Sequence, residues 1–256
     1  MTIHRAFAAL ACAALLSSCD KNAVQPLTGP VAGARVKFFN FGVNAPAVNF
    51  YANDVKLTAV ISATGTESTN GTASGGAGSG GFYSAVEPGQ YTLAGKIAAT
   101  VDKDLAISTV STTLADGKAY SFFMSGIYNT TTKTVEGFVV EDDFPAAFDY
   151  TMAYVRFVNA ISNANPMTLY AKNTTTSAEV AVGGGVAYKG AGAFTAVPNG
   201  TYDLSTRYAG VTTNAVTRAA VSFSAGRVYT IGARGDITVT STTAATRPQL
   251  DNTANR

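Results

Sequence analysis

From Ala34 to Phe38 apolar and charged residues alternate: Ala34, Val36 and Phe38 share one face, and Arg35 and Lys37 take the other. The same alternation returns at Ala153, Val155 and Phe157, with Tyr154 and Arg156 opposite. A period of two is that of a half-buried antiparallel strand. Pro88-Gly89 and Asn199-Gly200 mark tight turns ahead of further strands, and Gly117 and Gly226 mark two more. The pattern predicts short strands separated by turns along most of the chain.

The pattern also repeats. ARVKFFNFGVNAPAVNFYA (34–52) aligns without a gap on AYVRFVNAISNANPMTLYA (153–171), an offset of 119. Eight of the nineteen positions are identical: Ala34, Val36, Phe38, Asn40, Asn44, Ala45, Tyr51 and Ala52 in the first copy. Chance at average composition gives about one or two. Further on, Val86, Gly89, Tyr91 and Leu93 answer Val197, Gly200, Tyr202 and Leu204, and Gly117 and Tyr120 answer Gly226 and Tyr229. The excess length of the first copy lies mostly between Ala52 and Gly81, in a Gly-rich insert. Such a duplication implies two related bodies.

The start of the chain reads differently. His4 and Arg5 precede an apolar run from Ala6 to Leu16 that suits a secretory signal and is too short to span a bilayer as a helix. Leu16-Ser17-Ser18-Cys19 resembles the bacterial lipobox, which implies cleavage before Cys19 and acylation of its thiol. Residues 1–18 are then the lipoprotein signal peptide and 19–33 a lipidated tether. Membrane lipid, reached through Cys19, is the implied partner, and the location is extracytoplasmic, periplasm-facing or at the cell surface. Acyl chains gain about 0.8 kcal/mol per buried methylene, so several together hold firmly.

Composition narrows the chemistry. The formal charge is +2, which gives no electrostatic case for nucleic acid. His4 is the one histidine and falls in the signal, Cys12 would be removed with it, and there is no tryptophan. That excludes Ser-His-Asp and Cys-His catalysis and the common zinc sites within the mature chain. No catalytic, cofactor or metal residue is expected; Cys19 is the one assigned site.

Several features admit both a chemical and a plainer structural reading. Glu141-Asp142-Asp143 offers oxygen ligands for calcium, but reads better as a solvated acidic linker. Gly76–Gly81 matches G-x-G-x-x-G in form, yet a strand-like stretch follows where a dinucleotide site needs a helix, so a flexible loop is expected; Gly183-Gly184-Gly185 reads likewise. Asn70, Asn129, Asn173 and Asn199 head N-x-[ST] triplets and read as turn residues. Tyr51, Tyr170, Phe82, Tyr83 and Phe194 would make a sugar or peptide platform if exposed together, although such aromatics more often pack.

Tyr120 and Tyr229, three residues past a turn glycine, resemble the tyrosine corner of immunoglobulin-like sandwiches. The motifs A-x-V-[KR]-F-x-N, V-x-x-G-x-Y-x-L and G-x-x-Y, present in both copies, look like the domain-of-unknown-function 4397 family. That resemblance implies a β-sandwich in a secreted protein or lipoprotein, often in tandem, and carries over no catalytic residue. The expected architecture is all-β: two tandem immunoglobulin-like antiparallel sandwiches at 34–140 and 153–240, a linker at 141–152 and a tail at 241–256. The expected role is a non-enzymatic binding, structural or adhesion module of the envelope with an envelope protein or glycan as ligand. The alternative is a carboxylate-dependent glycan hydrolase or a carbohydrate-binding module.

Overall fold

The computed structural model describes residues 33–58 and 70–255. The signal, Cys19 and nearly all of the tether lie outside the described residues.

Almost every regular element is a strand. The first copy contains β1 (Ala34–Asn40), β2 (Val48–Ala52), β3 (Val55–Lys56), β4 (Gly76–Ala77), β5 (Ser84–Val86), β6 (Gly89–Ile97), β7 (Ala106–Leu114), β8 (Ala119–Asn129) and β9 (Thr134–Glu141). The second contains β10 (Met152–Asn159), β11 (Met167–Asn173), β12 (Glu179–Val186), β13 (Gly190–Ala191), β14 (Thr195–Pro198), β15 (Gly200–Tyr208), β16 (Val216–Phe223), β17 (Val228–Arg234) and β18 (Gln249–Ala254). Strand order is the same in both. One sheet runs β4-β1-β8-β9 with β5 also on β1, and its counterpart runs β13-β10-β17-β18 with β14 on β10. The other sheet runs β3-β2-β6-β7 and its counterpart β12-β11-β15-β16. Pairing is antiparallel except for one parallel pair in each copy, β1 with β8 and β10 with β17.

Each copy has its own core between its two sheets. In the first, Val36, Phe38, Phe122 and Met124 meet Phe50, Leu93 and Ile97. Phe38 stacks on Phe50 at 5.0 Å between centroids, and Phe122 meets both edge-on. In the second, Val155, Phe157 and Ile231 meet Leu169, Val182, Leu204 and Phe223. Burying each large side chain of this kind contributes about 1.5–3 kcal/mol. The corner tyrosines behave alike: Ala115 N–H donates to Tyr120 Oη and Ser224 N–H to Tyr229 Oη, both at 3.1 Å. Tyr91 and Tyr202 donate to the carbonyls of Glu87 and Pro198, at 2.9 and 2.7 Å.

Three expectations are corrected. The tail at 241–256 is not loose throughout: Gln249–Ala254 pairs antiparallel with β17 and buries Leu250, completing the second sheet as β9 completes the first. The glycine stretches are not free loops. Gly76–Ala77 pairs with β1, and Gly183–Gly185 lies inside β12, where the register shifts and Gly183 takes a positive φ. Finally, β1 and β10 are buried on both faces rather than one. The reason is that Phe39, Phe41, Phe123 and Phe138 form an apolar outer face, which Val158 and Ala160 of the second copy cover.

Candidate functional site

Alternation along β1 and β8 sends Phe38, Phe122 and Met124 inward and leaves Lys37, Phe39 and Phe123 on the opposite face. The second copy presents the matching face of β10 and β17, so the two sandwiches meet sheet to sheet. Phe39, Phe123 and Phe138 stack in succession, at 4.5 and 5.1 Å between centroids. Against them the second copy sets small residues. A Cβ on Gly232 would lie 2.7 Å from the Phe41 ring, so glycine is what lets that ring approach. Tyr188 extends the contact: its hydroxyl lies 2.9 Å from Ser125 Oγ, and Lys189 pairs with Glu136 at 2.5 Å.

Beside this apolar patch lies a cluster of buried charge. Lys37 is 1% exposed, and Arg156 and Asp142 are 2% each. Arg156 donates to Asp142 Oδ1, to the Glu141 carbonyl at 3.0 Å and to Thr230 Oγ1 at 3.0 Å. Asp142 also accepts from Ser121 Oγ at 2.8 Å and from Tyr83 Oη. Lys37 donates to the Ala254 carbonyl at 2.7 Å and to Asn255 Oδ1 at 3.3 Å, and its ammonium lies 4.4 Å from the Tyr83 ring centroid. Asn255 in turn donates to Thr230 Oγ1 at 2.7 Å.

The electrostatics follow from that burial. Desolvation lowers Lys37 from 10.5 to about 8, the Asp142 charge pulling back and Arg156 pushing further down. Desolvation raises Tyr83 strongly, and the adjacent Asp142 carboxylate adds to it. Tyr188 is raised to about 12, again chiefly by burial. Perturbed ionisable groups are common at active sites. Here they are shut between two sheets and occupied by one another, which is the arrangement of a joint rather than of a substrate pocket.

Asp142 is neither solvated nor available to calcium, because Arg156, Ser121 and Tyr83 take its oxygens. Glu141 pairs outward with Lys118 at 2.7 Å. Among the described residues no group of three or more His, Cys, Asp and Glu is placed to hold a metal. Gly76–Gly81 runs through β4 and a 3-10 turn toward β5, with no following α-helix to receive a phosphate. Asn129 and Asn173 each accept from two N–H groups of the following threonines, as turn residues do.

The five aromatics do not assemble into one platform. Tyr83 lies under Lys37 and Phe194 under Arg156, at 4.9 Å from the guanidinium carbon. Phe82 is 76% exposed. Tyr51 and Tyr170 sit on β2 and β11, in the other sheets, where each packs against a cation: Lys96 at 4.4 Å and Arg207 at 4.3 Å. Sequence reasoning treated Lys37 and Arg156 as outward-pointing and missed their role. The usable signal was the doubled Phe38-Phe39 and Phe122-Phe123, which puts apolar bulk on both faces of neighbouring strands.

Among the described residues, shallow polar grooves lie at equivalent places on those other sheets. One, about 480 Å³, is lined by Asn53, Gln90, Thr92, Ser111 and Thr113. The other, about 390 Å³, is lined by Lys172, Glu179, Asp203, Arg207 and Arg218. Asn53 and Thr92 correspond to Lys172 and Asp203, so the repeat places both grooves alike and lines them differently. Among the described residues no helix is long and apolar enough to cross a membrane.

Two sandwiches of one strand order invite comparison with known families. Residues 153–256 match the domain of unknown function DUF4397. The matched segment runs from Ala153 in β10 through β18, so that family's pattern includes the strand that the sequence suggested was a tail. No curated protein matches the chain.

Proposed function

We propose that the protein is a lipid-anchored, extracytoplasmic module of the bacterial envelope, built from two copies of the DUF4397 domain, which binds or assembles through its surface without catalysis. The observation that carries the non-catalytic part is the fate of Lys37, Asp142, Arg156 and Tyr83. The buried Lys37, Asp142 and Arg156, with Tyr83 beside them, are spent on holding two sandwiches together. The second copy of the family is supported by the shared strand order and by the equivalence of Lys37 with Arg156. Anchoring is supported by Leu16-Ser17-Ser18-Cys19 following an apolar run. The surfaces this reading assigns to recognition are the two grooves, one neutral and rich in hydroxyl and amide groups, the other charged. An envelope protein or a glycan is the ligand class that suits them.

Two experiments test the reading. Metabolic labelling with a palmitate analogue marks the wild-type protein and leaves Cys19→Ala unmarked; equal labelling of both removes the anchor. Glycan-array and pull-down screens on residues 20–256 recover a ligand whose binding weakens on Thr92→Arg or Asp203→Arg. Turnover of an envelope polysaccharide, abolished by one Asp or Glu replacement, would establish an enzyme instead.

A further inference from the structure

The two sandwiches contact each other through equivalent positions. Lys37 and Arg156 are equivalent positions of the repeat at an offset of 119, as are Tyr83 and Phe194 at 111 and Ser121 and Thr230 at 109. The pairings of β8 with β9 and of β17 with β18 make Glu141 the counterpart of Ala254, and hence Asp142 that of Asn255. Lys37 reaches the Ala254 carbonyl and the Asn255 side chain; Arg156 reaches the Glu141 carbonyl and the Asp142 side chain. Each basic residue therefore makes, on the opposite copy, the contact its counterpart makes in return. That reciprocity defines an isologous interface, the kind formed by a two-fold dimer.

The side chains break the symmetry in one direction. Phe39, Phe41 and Phe123 in the first copy stand where Val158, Ala160 and Gly232 stand in the second. Two first copies meeting by this face would put Phe123 where Gly232 now leaves room for Phe41, and the rings would collide. Two second copies would leave a void between Ala160 and Gly232. They would also bury Arg156 against Asn255, with no carboxylate to compensate its charge.

We infer that the face formed by β1, β8 and β9 is a recognition surface whose partner is the corresponding face of a non-identical sandwich of the same kind, and that it holds that partner without help from the linker. Specificity comes from large-against-small packing and from the buried carboxylate of Asp142, supplied by one side. The inference rests on the fold and stands apart from the proposed anchoring and ligand binding.

The test uses the full chain with a site-specific protease sequence inserted between Ala146 and Ala147, both exposed. After cleavage the halves are expected to co-elute on size exclusion at roughly micromolar concentration. Mixing affinity-tagged and untagged cleaved protein, partly denatured and then returned to buffer, should let a tagged first copy capture an untagged second copy but no untagged first copy. Separation of the halves on cleavage, or capture of first by first as readily as of second, would overturn the inference. A second arm needs no cleavage. Gly232→Ala should lower the melting temperature of the intact chain, and adding Phe41→Ala should recover part of the loss. Purely additive effects would contradict the proposed packing.

Discussion

Lys37 and Arg156, 119 residues apart, occupy one position of the repeat, and each donates to a backbone carbonyl at the end of the other copy's last strand. Asp142 decides how the two differ. Arg156 has a carboxylate facing it, whereas Lys37 has two neutral acceptors, the Ala254 carbonyl and the Asn255 amide oxygen. The consequences can be measured.

Removing the carboxylate strands a buried guanidinium. Asp142→Ala should lower unfolding stability by about 3–5 kcal/mol, the cost of leaving one partner of a buried pair uncompensated. Replacing both partners by apolar residues, Asp142→Leu with Arg156→Met, should return much of that loss. Denaturant unfolding with an unchanged slope reads both.

Lys37 makes stability rise with pH over a defined window. Its folded value of about 8 lies below the ordinary 10.5, so between these the unfolded chain binds more protons than the folded one. Stability must then increase as pH rises from about 8 toward 10.5, and the burial penalty is fully present below about 8. Tyr83 and Tyr188 act oppositely above about pH 10, where unfolded tyrosines ionise and the folded ones hold their protons. Lys37→Met should abolish the rise and keep the later fall, as followed by urea midpoints across pH.

The corner tyrosines should be interchangeable in cost. Tyr120→Phe and Tyr229→Phe each leave one backbone N–H, of Ala115 or Ser224, without its acceptor. A loss of about 1–3 kcal/mol is expected in each case, and of similar size in both copies. Chemical denaturation of the two variants side by side checks it.

Truncation before Gln249 should damage the second sandwich rather than trim a tail. It removes β18, uncovers the edge of β17, deletes buried Leu250 and takes away both acceptors of Lys37. Loss of the cooperative melt is the expected result, visible by circular dichroism.

Much of this fold can be read from residue order alone, because period-two alternation and turn glycines are local signals and the second copy repeats them. Val36, Phe38, Val155 and Phe157 announce their core face directly. The interface is harder to read. Lys37 and Arg156 look like solvated residues of a one-sided strand, and what buries them lies more than a hundred residues away in Ala254 and Asn255, or across the turn in Asp142. The strand at Gln249–Ala254 was hidden for a related reason. QLDNTA has one large apolar residue, Leu250, and its pairing is supplied by β17 rather than by its own alternation. The Gly-rich stretch at 76–81 misleads by composition, since Gly76 is held by β1 and not by any side chain of its own.

Scanning calorimetry of the intact chain tests the central claim most directly, because two sandwiches joined by a slack linker would melt independently. A buried reciprocal interface predicts one transition whose calorimetric and van't Hoff enthalpies agree, and its division into two when Asp142 is replaced by alanine. Two separate transitions in the wild type, unmoved by that replacement, would contradict it.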